Sequence, residues 1–162
     1  MRYAASILLT LSSALWLGLL VALFLFAPAV FQAFGPDRTT AGKATSAMFV
    51  RFAQVQLLLA AAALIGAFLA YLHGRRNIHV ALFTLLAIAC VGAAGYKMYF
   101  IPRMEELRLA AQTATPQWRK LHGMSMMLST AIGLLVLAAT CLTALVQRDL
   151  LGRRPPVESS PS

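Results

Sequence analysis

Charge is the scarcest commodity in this sequence. Of its 162 residues, 12% are charged and 5 are acidic, whereas a soluble domain carries about 25% charged residues. The shortfall excludes an ordinary water-soluble domain, and its placement says why. No charged side chain occurs from Tyr3 to Pro36, from Ala53 to Leu72, from Ile78 to Tyr96 or from Leu121 to Gln147. Cysteine is nearly missing too. Cys90 and Cys141 are the only 2, both inside apolar runs; a disulfide between them needs their helices to touch at that depth, and small apolar fillers are the expected role. Zinc-ligand spacing, a phosphate-cradling glycine loop and a nucleophile elbow are all lacking. Glu105 and Glu106 are adjacent, so on a helix they point to different sides and make no acid–base pair. An enzyme is not expected.

What is present is 60% hydrophobic residues, gathered into those four uncharged runs. Crossing a bilayer core takes about 20 apolar residues at a rise of about 1.5 Å each, and every run is long enough or very nearly so. Buried helices of a soluble bundle would keep polar faces toward water, and these runs have none. The expected fold is all-α: an integral membrane four-helix bundle. The first run extends well past the core of a signal peptide and reads as a retained helix.

The helices are expected at about 3–34, 41–72, 78–100 and 117–146. Gly35 and Pro36 end the first, and Thr39 or Thr40 is a candidate cap for the second. The residues 73–77 read as a tight turn. Beyond Pro102 a polar connector with one short helix is expected, and Thr115–Pro116 suits the start of the last helix. Residues 148–162 read as a polar, disordered tail. Small residues recur four apart in each helix, as close packing in lipid favours. Examples are Ala14, Gly18 and Ala22 in the first, Ala62, Gly66 and Ala70 in the second, and Ser125, Ser129 and Gly133 in the fourth.

With four spans, both termini lie on one side. That side holds 6 basic residues (Arg2, Arg75, Arg76, Arg148, Arg153, Arg154) against 8 on the other (Arg38, Lys43, Arg51, Lys97, Arg103, Arg108, Arg119, Lys120). The count alone does not orient the chain. The short, purely basic turn at Arg75–Arg76 favours cytoplasmic termini, because the opposite side also carries Asp37, Glu105 and Glu106. A net charge of +9 would point to nucleic acid in a soluble protein. Here the cations sit beside membrane segments, where anionic headgroups explain them, and no nucleic-acid partner is expected. Most aromatic residues, among them Phe24, Phe31, Phe49, Tyr96 and Trp118, fall toward the side of the two longer connectors. An interfacial belt would use both surfaces, so the connector side is where elaboration is expected.

Polar groups inside lipid are costly and face the bundle interior or an interface. On that basis the candidate ligand site is Arg51, Tyr96, Lys97, Arg103, Arg108, His122 and Ser125. A basic cluster with one histidine suits an anionic headgroup or a small solute. The alternative is metal: thioethers with an imidazole suit Cu(I), which nominates His122 and Met126, and haem would need axial ligands from His73, His79 or His122. The reading without a cofactor is preferred. The expected partners are the lipid bilayer, an anionic lipid or small solute, and a second copy of the chain in a homo-oligomer, since four short spans enclose little interior.

An ordered set of motifs runs through nearly the whole chain. Trp16 and Gly18 come first, followed by Phe26-Ala27-Pro28 with Phe31. Ala41-Gly42 and Phe49 open the second helix. Tyr96 or Tyr99 precedes Pro102, Arg103, Leu107 and Arg108. Trp118, Leu121, His122 and Ser125 close the set. Together these resemble the transmembrane protein 205-like domain, a family of small four-helix membrane proteins in bacteria and eukaryotes. The resemblance implies a bacterial inner (cytoplasmic) membrane location. Bacterial members have no known function. Eukaryotic relatives are linked to tolerance of platinum drugs, which implies transport or membrane stress tolerance without naming a substrate. No catalytic residue carries over.

Overall fold

The computed structural model describes residues 2–74 and 77–152. Helix α1 spans Arg2–Ala33, α2 Arg38–Gly74 and α3 Asn77–Gly95. A π-helical turn, Tyr96–Phe100, runs straight into α4, Ile101–Leu109, and α5 spans Pro116–Gly152. Four stretches are long and apolar enough to cross a membrane: Tyr3–Ala33, Thr39–His73, Asn77–Leu109 and Pro116–Arg148. Their outer surfaces settle which solvent they meet. Leu58, Val91 and Met127 are more than 70% exposed, and a soluble bundle would turn polar residues outward at such positions. The fold is an all-α four-helix bundle, and the chain is a multi-pass membrane protein.

Around the bundle, α1 packs on α2, α2 on α3, α3 on α5, and α5 back on α1. The α2–α5 diagonal touches lightly. The core is built from unequal partners. Helix α2 contributes Ala60, Ala63, Ala67 and Ala70, all buried, to one core cluster with the bulky Leu9, Trp16 and Leu20 of α1 and Leu82 and Leu86 of α3. Gly66 marks the closest approach: a Cβ there would lie 2.8 Å from the Leu9 backbone nitrogen. Close packing needs only one small surface per pair, and α2 supplies it. The row Ala14–Gly18 on α1 therefore does not serve the bundle as expected. Both residues face outward, and nothing lies within 4 Å of a Cβ built on Gly18. The α5 row divides, with Ser125 and Ser129 buried and Gly133 meeting open space.

Helix ends follow local chemistry. Gly35 takes φ +53°, the left-handed turn that stops α1. The cap of α2 is Asp37 rather than Thr39 or Thr40: its Oδ1 accepts from the Thr40 backbone N–H at 3.0 Å, the usual duty of an N-cap carboxylate. Hydrogen bonds from the Thr40 hydroxyl and N–H hold the Asp37 carboxyl below its ordinary range. At α5 the expected start is realised. Thr115 Oγ1 accepts from the Trp118 N–H at 3.2 Å, and Pro116 fills the first helical position.

Two helix ends depart from the sequence reading, that of the third span and that of the last. The third span does not stop at Phe100. The Ile101 N–H bonds back to the Tyr96 carbonyl, one residue further than in an α-helix, and this widened turn admits Pro102 at the start of α4, where no N–H is needed. Helix α4 then closes with Gln112 N–H to Leu107 O at 2.9 Å and Ala111 N–H to Arg108 O at 3.1 Å, a Schellman cap with Ala111 at φ +56°. Helix α5 continues past Val146 to Gly152, so the first residues of the expected tail are helical. Residues 153–162 lie outside the described residues.

Candidate functional site

The two halves of the bundle are not equally filled. From Phe24 to Ala33, α1 leaves nearly every side chain exposed or half-exposed, and so does α5 from Pro116 to Met127. The alanine-lined core ends below this level, and a cleft with two lobes takes its place on the connector side.

The inner lobe has a volume of about 370 Å³ and lies among α2, α4 and the start of α5. Its polar wall is Ser46, Glu105, Arg108 and Thr113, and Trp118 closes one side. The lateral lobe, about 300 Å³, lies between α1 and α5, walled by Leu23, Phe24 and Ala27 on one side and Ser125, Met126 and Ser129 on the other. Phe31, Thr45, Phe49, Tyr96, Met104 and His122 border both lobes, so the two adjoin along a shared wall.

Each wall is set by a local feature. The π turn carries Tyr96 inward, where it is buried and borders the lateral lobe together with Ser129. Phe100 stacks on it at 6.3 Å between ring centroids. Glu105 is fastened on two sides. Arg108 Nε donates to its Oε2 at 2.8 Å, Arg108 also donates to its Oε1, and Ser46 Oγ of α2 donates to Oε2 at 2.7 Å. The trio ties α4 to α2 and fixes the depth of the inner lobe. Trp118 and His122 are parallel, 5° between planes and 6.5 Å between centroids, as residues one turn apart on α5 permit.

Two buried hydroxyls, Ser13 in the packed core and Thr45 beside the cleft, lack a hydrogen-bond partner among the described residues, and Thr45 is the one that borders the lobes. Thr10, Ser12, Thr140 and Thr143 each donate to the carbonyl one turn earlier, the usual solution for a hydroxyl on a membrane helix. Thr45 is 6% exposed, borders both lobes, and its Oγ1 has no hydrogen-bond partner among the described residues. A buried polar atom left unmatched costs roughly 1–3 kcal/mol, so this hydroxyl is a strong point of attachment for a ligand.

The structure divides the site expected from sequence. Tyr96, Arg108, His122 and Ser125 come together on the cleft wall, and Met126 joins them in the lateral lobe. Arg51, Lys97 and Arg103 border neither lobe. Arg51 is exposed and reaches Gln54 at 3.4 Å. Arg103 is exposed and paired with Glu106 at 3.0 Å. Lys97 is half-buried on the π turn, one position past Tyr96. Those three share one end of the bundle with the rest, and only helix phase separates them. Thr45, Ser46 and Glu105 were missed. Thr45 was legible, since it falls in phase with the buried Ala41, Ala53 and Gln56 of α2. Ser46 and Glu105 meet across 59 positions, which no local pattern announces. His73 and His79 lie at the opposite end, where His73 Nδ1 sits 2.7 Å from the Leu69 carbonyl. No cluster of three or more His, Cys, Asp or Glu side chains with metal-holding geometry occurs among the described residues.

Comparison with known proteins adds a family. A family model described as a domain of unknown function (DUF4149) matches residues 11–113, well over half of the chain, and the chain belongs to that family. No curated protein and no solved structure matches it. The matched region holds the α1, α2 and α4 walls of the cleft and the π turn. The α5 wall, with Trp118, His122 and Ser125, lies beyond it.

Proposed function

From membership of a family whose chemistry is open, we propose that this is a non-enzymatic ligand-binding membrane protein. Its connector-side cleft takes a small molecule that carries a hydrogen-bonding group among apolar atoms. The observation that carries this reading is the Thr45 hydroxyl, buried and unpartnered on the wall of an aromatic-lined cleft. Each lobe falls at the lower end of the range for small-molecule sites, about 300–1,000 Å³. Apolar walls with a few convergent polar groups are the usual composition of such sites. The carboxylate on the cleft wall, Glu105, is held by Arg108 and Ser46, which gives it a structural duty rather than a proton-transfer one. The resemblance to the transmembrane protein 205-like domain supports placing the binding step within transport or membrane stress tolerance. On this reading the chain sits in a bacterial inner membrane with cytoplasmic termini, and the cleft faces the opposite surface.

The chain has 2 tryptophans. Trp16 is fully buried in the core and Trp118 borders the cleft, so Trp118 is the reporter. Protein in lipid nanodiscs is titrated with 1-anilinonaphthalene-8-sulfonate while tryptophan emission is followed. Saturable quenching that Trp118→Phe reduces and Thr45→Val weakens about fivefold, the value of one hydrogen bond, supports the reading. Quenching that never saturates and ignores Thr45→Val contradicts it.

A second reading has one observation in its favour. His122, Met126 and Met104 border the same lateral lobe, and an imidazole with thioethers suits Cu(I). Elemental mass spectrometry of protein purified with and without copper tests it. Near-stoichiometric copper that His122→Ala removes supports this reading, and copper content unchanged by the substitution counts against it.

A further inference from the structure

The cleft has two openings of different character. The wall of the lateral lobe, Leu23 to Pro28 on α1 and Ser125 to Ser129 on α5, lies inside runs that hold no charged residue. Phe24 and Met126 on that wall are 40% and 39% exposed, so the lobe opens sideways, between two membrane helices, onto hydrocarbon. The inner lobe is bordered instead by Gly42, Ser46 and Thr113, among the charged connectors, and opens toward water. A water-soluble solute has no use for the first opening, and a purely apolar one has none for the second.

Charge narrows the head group. The connector side holds 8 basic and 3 acidic residues. Glu105 and Glu106 are each paired with an arginine, and Lys43 lies within electrostatic reach of Asp37. Cations remain in excess at the rim, where they concentrate anions. On the inner wall, Arg108 gives two of its five N–H groups to Glu105, and a guanidinium keeps further donors for a second anion.

Resting on the reading of the cleft as a binding site, we propose that its ligand is a single-chain amphiphile with an acidic head, drawn sideways from the bilayer. The chain lies in the lateral lobe between α1 and α5, and the head reaches Thr45, His122 and Arg108. Lobes of about 300 and 370 Å³ seat one acyl chain with its head, not a two-chain phospholipid.

The test uses 9,10-dibromostearate, whose bromines quench tryptophan, on full-length protein in nanodiscs. The expected result is saturable quenching that Trp118→Phe abolishes. Ala27→Phe, which fills the lateral lobe from the α1 side, raises the apparent Kd at least about tenfold, because each methylene kept out of an apolar site is worth roughly fourfold. Met126→Phe fills the lobe from α5 and guards against a folding defect in the first variant. Butanoate at hundredfold excess does not compete, and 9,10-dibromostearyl alcohol binds at least about tenfold more weakly than the acid. If butanoate competes fully, or both filling variants bind the acid as wild type does, the chain-in-lobe assignment falls, while saturable anilinonaphthalenesulfonate binding keeps the cleft reading alive. Equal binding of acid and alcohol overturns the acidic head. If neither the bromo-acid nor anilinonaphthalenesulfonate saturates, both the assignment and the reading beneath it fail.

Discussion

At the scale of single residues, glycines separate the faces that the sequence leaves alike. Gly18 and Gly66 both sit in small-residue rows of apolar helices. A Cβ on Gly66 meets the Leu9 backbone at 2.8 Å, and one on Gly18 meets nothing. Gly66→Ala is expected to destabilise by about 1–3 kcal/mol, as overpacking does. Gly18→Ala is expected to be neutral or to stabilise by up to about 1 kcal/mol through helix propensity. Thermal unfolding in one detergent compares the two, and equal shifts would refute the assigned packing. Ala111, at φ +56°, makes the opposite case. A non-glycine residue there carries a steric cost of about 1–2 kcal/mol, and Ala111→Gly is expected to raise the melting temperature. These contrasts were hidden in the sequence because every face of a lipid-exposed helix is apolar. Periodicity, which shows the buried face of a soluble helix, has little to contrast here.

At the scale of elements, the uncharged runs made the four spans legible, since length and hydropathy are one-dimensional signals. The join between α3 and α4 was not. Proline reads locally as a stop, and the π turn that absorbs Pro102 depends on Tyr96 and Phe100 packing with Ala53 of α2. The Ser46–Glu105–Arg108 link holds α4 against α2 across that join. Ser46→Ala leaves the Arg108 pair intact and frees α2, so faster amide exchange is expected over residues 101–115, with the first half of α3 unchanged. Uniform exchange across both segments would show that the link holds nothing. The other end of α2 responds to pH. The Asp37 carboxyl lies below its ordinary range in the folded protein, so its capping contribution is complete above the unfolded-state value. It is lost as pH falls through the depressed one. The protection factors of the amides over residues 38–43, with the intrinsic pH dependence of exchange divided out, are expected to fall only in that acid window, and Asp37→Asn is expected to flatten the profile. A loss of protection at neutral pH would contradict the cap.

At the scale of the whole molecule, the bundle is a packed half joined to an open half. In the packed half, Leu9 and Trp16 share one buried cluster with the alanines of α2, and Gln147 of α5 donates to Thr10 of α1. In the open half, α1 and α5 line a lateral opening instead of a seam. The crowding of aromatic residues toward the connectors signalled that asymmetry before any helix was placed. What it did not convey was that the site combines Thr45 and Ser46 with Tyr96, Glu105, Arg108 and His122, drawn from three helices and a turn, because that depends on how the helices are phased. Native mass spectrometry of protein released from bacterial membranes without added ligand tests the central claim most directly. The account predicts one adduct per chain, in the mass range of a single-chain acid, depleted in Thr45→Val and in Ala27→Phe. Bare protein, or adducts that mirror the bulk phospholipids and ignore both substitutions, would contradict it.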